Sequence, residues 1–123
     1  MTRTVASILI VDDEEADRLQ LAAALEGSGH RVLFASNGRE ALERFMEQPV
    51  HIVVTDIAMP GGDGLDFIAS LKAIKPDAAV IAVSGKGPGG LSVASAIGAD
   101  TVLTKPVSLE EMRRAVAEAL GTA

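Results

Sequence analysis

Residues Ile52–Thr55 are four consecutive apolar or β-branched positions, with no charged residue among them. A strand with one face in water would alternate in polarity. This one does not, so it reads as a strand buried on both faces. It ends on a lone carboxylate, Asp56, and Met59-Pro60-Gly61-Gly62 then breaks the chain. An isolated Asp there would only begin a turn. The remainder of the chain supplies company for it.

Ser7–Val11 is a second continuous apolar run, and it stops at Asp12-Asp13-Glu14-Glu15. Acids at that point suit the N-terminus of a helix, whose dipole favours negative charge. The helix is expected to run to about Glu26, with Leu21, Ala24 and Leu25 on one face, and Gly27 and Gly29 end it. Arg31–Ala35 is a short strand. Asn37-Gly38 opens a helix with Ala41, Leu42, Phe45 and Met46 on one face, closed by Pro49. Asp63-Gly64 leads into a helix carrying Leu65, Ile68 and Leu71 inward. Ala79–Val83 is a fourth strand ending at Ser84, followed by the glycine-rich run Gly85–Gly90 and a short helix over 91–97. Thr101–Thr104 is the fifth strand and ends at Lys105-Pro106. Ser108 and Glu111 form a capping box for a last helix with Leu109, Met112, Val116 and Leu120 inward.

The pattern is βα five times, with no internal repeat or linker. Such alternation with short loops specifies an α/β fold, a parallel sheet with helices on both faces. Right-handed crossovers leave few topologies. Ligands of such sheets bind beyond the C-terminal strand ends, where the winding reverses.

A length of 123 residues holds a single domain, 1–123, with one core. The net charge of −6 carries no basic stripe, which argues against direct nucleic acid binding. The absence of Cys excludes thiol catalysis, disulfides and Cys-ligated zinc. No apolar run nears the ~20 residues that span a bilayer, and no signal peptide is visible. The expected localisation is cytoplasmic, with no membrane partner.

The strand ends carry the chemistry. The first delivers Asp12 and Asp13, the third Asp56, the fourth Ser84 and the fifth Lys105, all on one edge of the sheet. Two like charges ~4 Å apart near a surface cost roughly 4 kcal/mol. Lys105 offsets part of that repulsion. A hard divalent cation offsets more, and Mg²⁺ suits an open carboxylate site with retained waters. Such an ion also neutralises an incoming phosphoryl group and aligns it for attack by a carboxylate oxygen.

VDDE at 11–14, VTDIAMPGGDG at 54–64, VSG at 83–85 and LTKP at 103–106 are weak motifs singly. In this order and spacing the chain closely resembles the response-regulator receiver domains of two-component signalling, the CheY-like family, over essentially its whole length. The resemblance implies a flavodoxin-like (βα)5 sheet in the order 2-1-3-4-5. It implies that Asp56 is the phosphoacceptor, attacking a phosphohistidine of a sensor histidine kinase or phosphotransfer protein. It implies Mg²⁺ on Asp12, Asp13, Asp56 and the backbone carbonyl of Ala58. Ser84 becomes the hydroxyl switch residue, Lys105 the phosphoryl contact, and the Lys105–Pro106 bond cis. The output is a conformational change that regulates a downstream protein. The domain is then no enzyme beyond its own phosphotransfer and dephosphorylation.

Three positions depart from the family. Val102 stands where an aromatic partner of the hydroxyl switch is common, and Val107 where Phe is common after Lys-Pro. Four of the six residues of Gly85–Gly90 are glycine, and ordering of that loop is one substitute for the absent ring. Lys86, two past Ser84, reads as solvated.

His30 and His51 lie away from the acidic edge and read as structural. Met46 and Met112 read as core, Met59 as a residue beside Asp56, and Arg113-Arg114 as a solvated face. Competing functions are a pseudo-receiver interaction module, an aspartyl phosphatase and a flavodoxin-like cofactor binder. A phosphatase of the haloacid-dehalogenase kind wants an Asp at position 58, which is Ala58. A cofactor binder wants phosphate donors after the first strand, where Asp12 and Asp13 repel phosphate.

Overall fold

The computed structural model describes residues 5–27, 29–57, 63–85 and 98–121. Strands β1 (Ser7–Val11), β2 (Arg31–Ala35), β3 (Ile52–Asp56), β4 (Ala79–Ser84) and β5 (Thr101–Thr104) form one sheet in the order β2-β1-β3-β4-β5. Every pairing is parallel. Helices α1 (Glu15–Glu26), α2 (Gly38–Glu47), α3 (Asp63–Ile74) and α4 (Leu109–Ala119) cover it. The expected helix over 91–97 and most of the glycine-rich run lie outside the described residues.

The continuous apolar runs are explained by two cores where the length predicts one, because the sheet is covered on both faces and separates them. Leu9, Val11, Val53, Val80 and Ala82 point to one side, against Ala41 of α2 and Phe67, Ile68 and Leu71 of α3. Their neighbours Ile8, Ile10, Ile52, Val54, Ile81 and Val83 point to the other, against Ala22 and Leu25 of α1 and Met112, Ala115 and Val116 of α4. The period of two along each strand thus feeds both layers, and beyond the half-buried Ser7 every position of β1 and β3 is buried.

The helix ends follow their local signals. Asn37 caps α2, its side chain accepting from the Glu40 backbone N–H at 2.8 Å. Ser108 and Glu111 form the reciprocal capping box of α4. His30 and His51 accept from the backbone N–H groups of Ala6 and Ser7 through Nδ1, at 3.1 and 2.9 Å. They anchor the start of β1, the structural role expected of them.

Two inward assignments need correction. Met46 is 66% exposed. It follows Ala41 by five residues, about 140° round the helix, and so leaves the buried stripe. Leu109 is 44% exposed, at the first helical position of α4, whereas Met112 and Val116 are buried. Among the described residues no helix is long and apolar enough to cross a membrane.

Candidate functional site

Asp12, Asp56, Ser84 and Lys105 are held at or just past the ends of their strands. The Asp12 N–H donates to the Ala35 carbonyl at 3.1 Å, so Asp12 continues β1 past its formal end. Its Oδ1 accepts from the Glu14 N–H at 2.9 Å, and Arg18 Nη1 donates to its carbonyl at 2.6 Å. Glu14, the N-cap of α1, makes no capping bond with its own side chain. Asp12 ties the turn instead, and its Oδ2 is left for the site.

Asp56 is the last residue of β3, and the next N–H, of Ile57, donates to Val83 at 3.1 Å. The start of α3 presses on this point from outside. A Cβ on Gly64 would collide with the Asp56 carbonyl oxygen and come within 2.6 Å of Ile57 Cα. Only glycine lets the helix backbone approach so closely. Ser84 ends β4 and is buried; its carbonyl accepts the Lys105 N–H at 2.8 Å. The ladder between β4 and β5 therefore sets Lys105 beside Ser84. The Lys105–Pro106 bond is cis, as the resemblance implied.

The ammonium of Lys105 gathers the edge together. Its Nζ lies 3.2 Å from Asp12 Oδ2, 3.2 Å from Asp56 Oδ2 and 2.8 Å from Asp17 Oδ2. Asp12 and Asp56 are 1% and 5% exposed, while Asp13 faces solvent. Oxygens of Asp12, Asp13 and Asp56 all lie within 4.8 Å of one another. The structure thus brings Asp12, Asp13, Asp56, Ser84 and Lys105 to one edge. Ala58, Met59 and Lys86 fall outside the described residues.

Asp17 was not anticipated from the sequence. It lies in the first turn of α1, and its place at the site is set by the approach of that turn to Lys105 after β5, which no local pattern announces.

Among the described residues the charges do not balance. Asp12, Asp13, Asp17 and Asp56 stand against the Lys105 ammonium, and Arg18 spends its short bond on a carbonyl. Burial pushes the Asp12 carboxyl above its ordinary range and the nearby Asp56 charge adds to this; the Glu14 N–H and Lys105 act against it. Burial opposes the charge of Lys105, but hydrogen bonds to Asp17 and Asp56 and the charges of Asp56 and Asp12 outweigh it and raise its pKa. Surplus negative charge on converging hard oxygens is what a divalent cation relieves, and the donor set fits one bound by oxygen alone.

Comparison with known proteins agrees with this geometry. The family model for the response regulator receiver domain matches residues 8–117. A probable chemotaxis protein CheY of Rhizobium etli is 34% identical over 119 residues, covering 93% of this chain and 92% of that protein. Response regulator RR06 of Streptococcus pneumoniae is 38% identical over 104 residues, or 84% of this chain, which spans only 48% of that longer protein. The solution structure of the beryllofluoride-activated NtrC4 receiver domain dimer superposes with a TM-score of 0.87 at 35% identity, covering 94% of this chain and 96% of that one. With its sheet order, its edge of acids around Lys105 and its match across nearly the whole chain, this protein belongs to the response-regulator receiver domain family.

Proposed function

We propose that the domain is a phosphoacceptor switch of a two-component pathway. A carboxylate oxygen of Asp56 attacks the phosphorus of a phosphohistidine on a sensor histidine kinase or phosphotransfer protein. A P–O bond forms as the P–N bond breaks, and its electron pair stays on the imidazole nitrogen, which takes up a proton. The product is an acyl phosphate on Asp56. Asp12, Asp13 and Asp56, with the Ala58 carbonyl, would hold Mg²⁺, which when bound offsets the charge of the phosphoryl oxygens.

The protein's own groups do the rest. β3 holds Asp56 rigidly, so little motion is spent in aligning its oxygen. Lys105 donates to one phosphoryl oxygen and the Ser84 hydroxyl to another. Charge-assisted bonds contribute about 1.5–3 kcal/mol each. Two of them approach the ~5.5 kcal/mol that moves a two-state population from 1:99 to 99:1. The resulting state regulates a downstream protein in the cytoplasm, and the domain turns over no substrate besides its own phosphoryl group.

The observation that carries this reading is the placement of Lys105 Nζ 3.2 Å from the buried Asp56 carboxylate. Incubation with Mg²⁺ and acetyl phosphate, followed by mass spectrometry, tests it. One added phosphoryl group is expected, absent in Asp56→Asn. An unmodified wild-type protein would overturn the reading in favour of a pseudo-receiver, and sustained turnover of small phosphoesters would favour a phosphatase.

A further inference from the structure

The shortest of the three ammonium contacts, Lys105 to Asp17, has no part in the phosphotransfer just described. An ammonium has three N–H donors and no acceptor. In the resting domain three carboxylates stand around it, from Asp12, Asp17 and Asp56. Its donors are therefore fully committed. A phosphoryl group on Asp56 places new, more highly charged oxygens beyond the carboxylate, and Lys105 can meet them only by giving up a partner.

The three partners differ in how readily they can be given up. Asp12 is 1% exposed and is fixed by its own backbone and by Glu14. Asp56 carries the new group. Asp17 has a side chain 32% exposed, and it lines an open cavity of ≈ 270 Å³ with Gln20, Leu21, Pro106 and Val107. Water reaches a released Asp17 carboxylate, whereas Asp12 is cut off from water and stays fixed by the Glu14 N–H in the place where it would also hold the metal.

We propose that Asp17 is a latch on Lys105: it holds the ammonium in the resting domain and lets it go when Asp56 carries a phosphoryl group. The proposal rests on the phosphoacceptor reading above. Asp17 is a positioning residue, acting through Lys105 and not on the phosphoryl group. The latch ties α1 to the end of β5, so its release reports the state of Asp56 to the α1 surface. That coupling needs no aromatic ring at Val102. A ligand shifts an equilibrium only by its differential contacts with the two states, and this pair exists in one state only.

Beryllofluoride, a phosphoryl mimic, tests the latch at saturating Mg²⁺, with binding followed by calorimetry and Mg²⁺ affinity measured separately for each variant. Removing a contact made only in the resting state should tighten beryllofluoride binding. The expected gain for Asp17→Asn is about three- to fivefold, the scale of one partly exposed ion pair. Asp17→Glu, which keeps the charge, should restore affinity toward wild type. In a Lys105→Gln background, Asp17→Asn should change nothing, because the latch has no partner left. Unchanged or weaker binding in Asp17→Asn would overturn the proposal, as would the same gain in the Lys105→Gln background. Failure of the wild type to bind beryllofluoride at all would instead overturn the phosphoacceptor reading.

Discussion

Two lysines bridge opposite ends of this sheet, and they are matched to their surroundings in different ways. Lys72, on α3, donates to the Ala78 carbonyl at 2.6 Å and to Asp100 Oδ2 at 3.2 Å. Asp100 Oδ2 also accepts the Val80 N–H at 2.8 Å. One cation meets one anion, and the remaining donors and acceptors are backbone. Lys105 meets three carboxylates with a fourth nearby. The first arrangement is neutral and closed, and it holds a helix to a strand. The second has surplus negative charge and a solvent-facing member, Asp13, and so stays open to a cation and to a change of partners. A lysine in an ion pair is therefore not by itself a sign of function; the balance of charge around it is.

The largest effect is expected where the open site meets the backbone. Gly64→Ala should destabilise the domain by about 2–3 kcal/mol, because the collision is with the Asp56 carbonyl and the Ile57 backbone and no side chain can yield. A urea midpoint equal to wild type would show that α3 can retreat from Asp56 at little cost. The lysines themselves can then be set against each other. Lys72→Met should cost about 1.5–3 kcal/mol by removing a charge-assisted bond. Added Mg²⁺ should not restore it. Lys105→Met should lose a similar amount in EDTA but regain much of it with Mg²⁺, since the ion replaces the missing positive charge. Equal responses of the two variants to Mg²⁺ would break the contrast. For the wild type, Mg²⁺ at about ten times its dissociation constant should add roughly 1.4 kcal/mol of stability, removed by EDTA and read as a shift in melting temperature.

The closed lysine and the open one were not equally legible in the sequence. Continuous apolar runs announced strands buried on both faces, and acids or a lysine at their ends announced the edge that carries Asp12, Asp13, Asp56, Ser84 and Lys105. Those residues are fixed by strand register, and a strand's end can be read from where its apolar run stops. Asp17 is fixed instead by the docking of α1 against β5. Gly64 is fixed by the approach of α3 to β3, as Lys72 and Asp100 are by packing near β4. None of those contacts has a local signature. Met46 departs for a related reason: an apolar stripe of four residues predicts a wholly inward face, but its last member has turned toward water.

The smallest effect tests the charge surplus itself. Burial raises the Asp12 pKa above its ordinary 3.8. The folded state then binds that proton more tightly than the unfolded chain. Its contribution to stability is fully present below about pH 3.8, and it is lost as pH rises through the higher folded value. At neutral pH the charged Asp12 is thus a cost to the fold, in contrast to an ordinary paired carboxylate, which stabilises only once ionised. Asp12→Asn removes the charge and keeps an acceptor for the Glu14 N–H. In metal-free buffer at neutral pH it should stabilise the domain by on the order of 1 kcal/mol, with the gain shrinking as pH falls toward 3.8. The same variant should weaken the response to Mg²⁺. Stabilisation together with loss of the metal response would mean that this aspartate is kept for its charge and at the expense of stability. A loss of stability in metal-free buffer would mean that Lys105 already compensates Asp12 in full, and the two lysines would then differ less than their surroundings indicate.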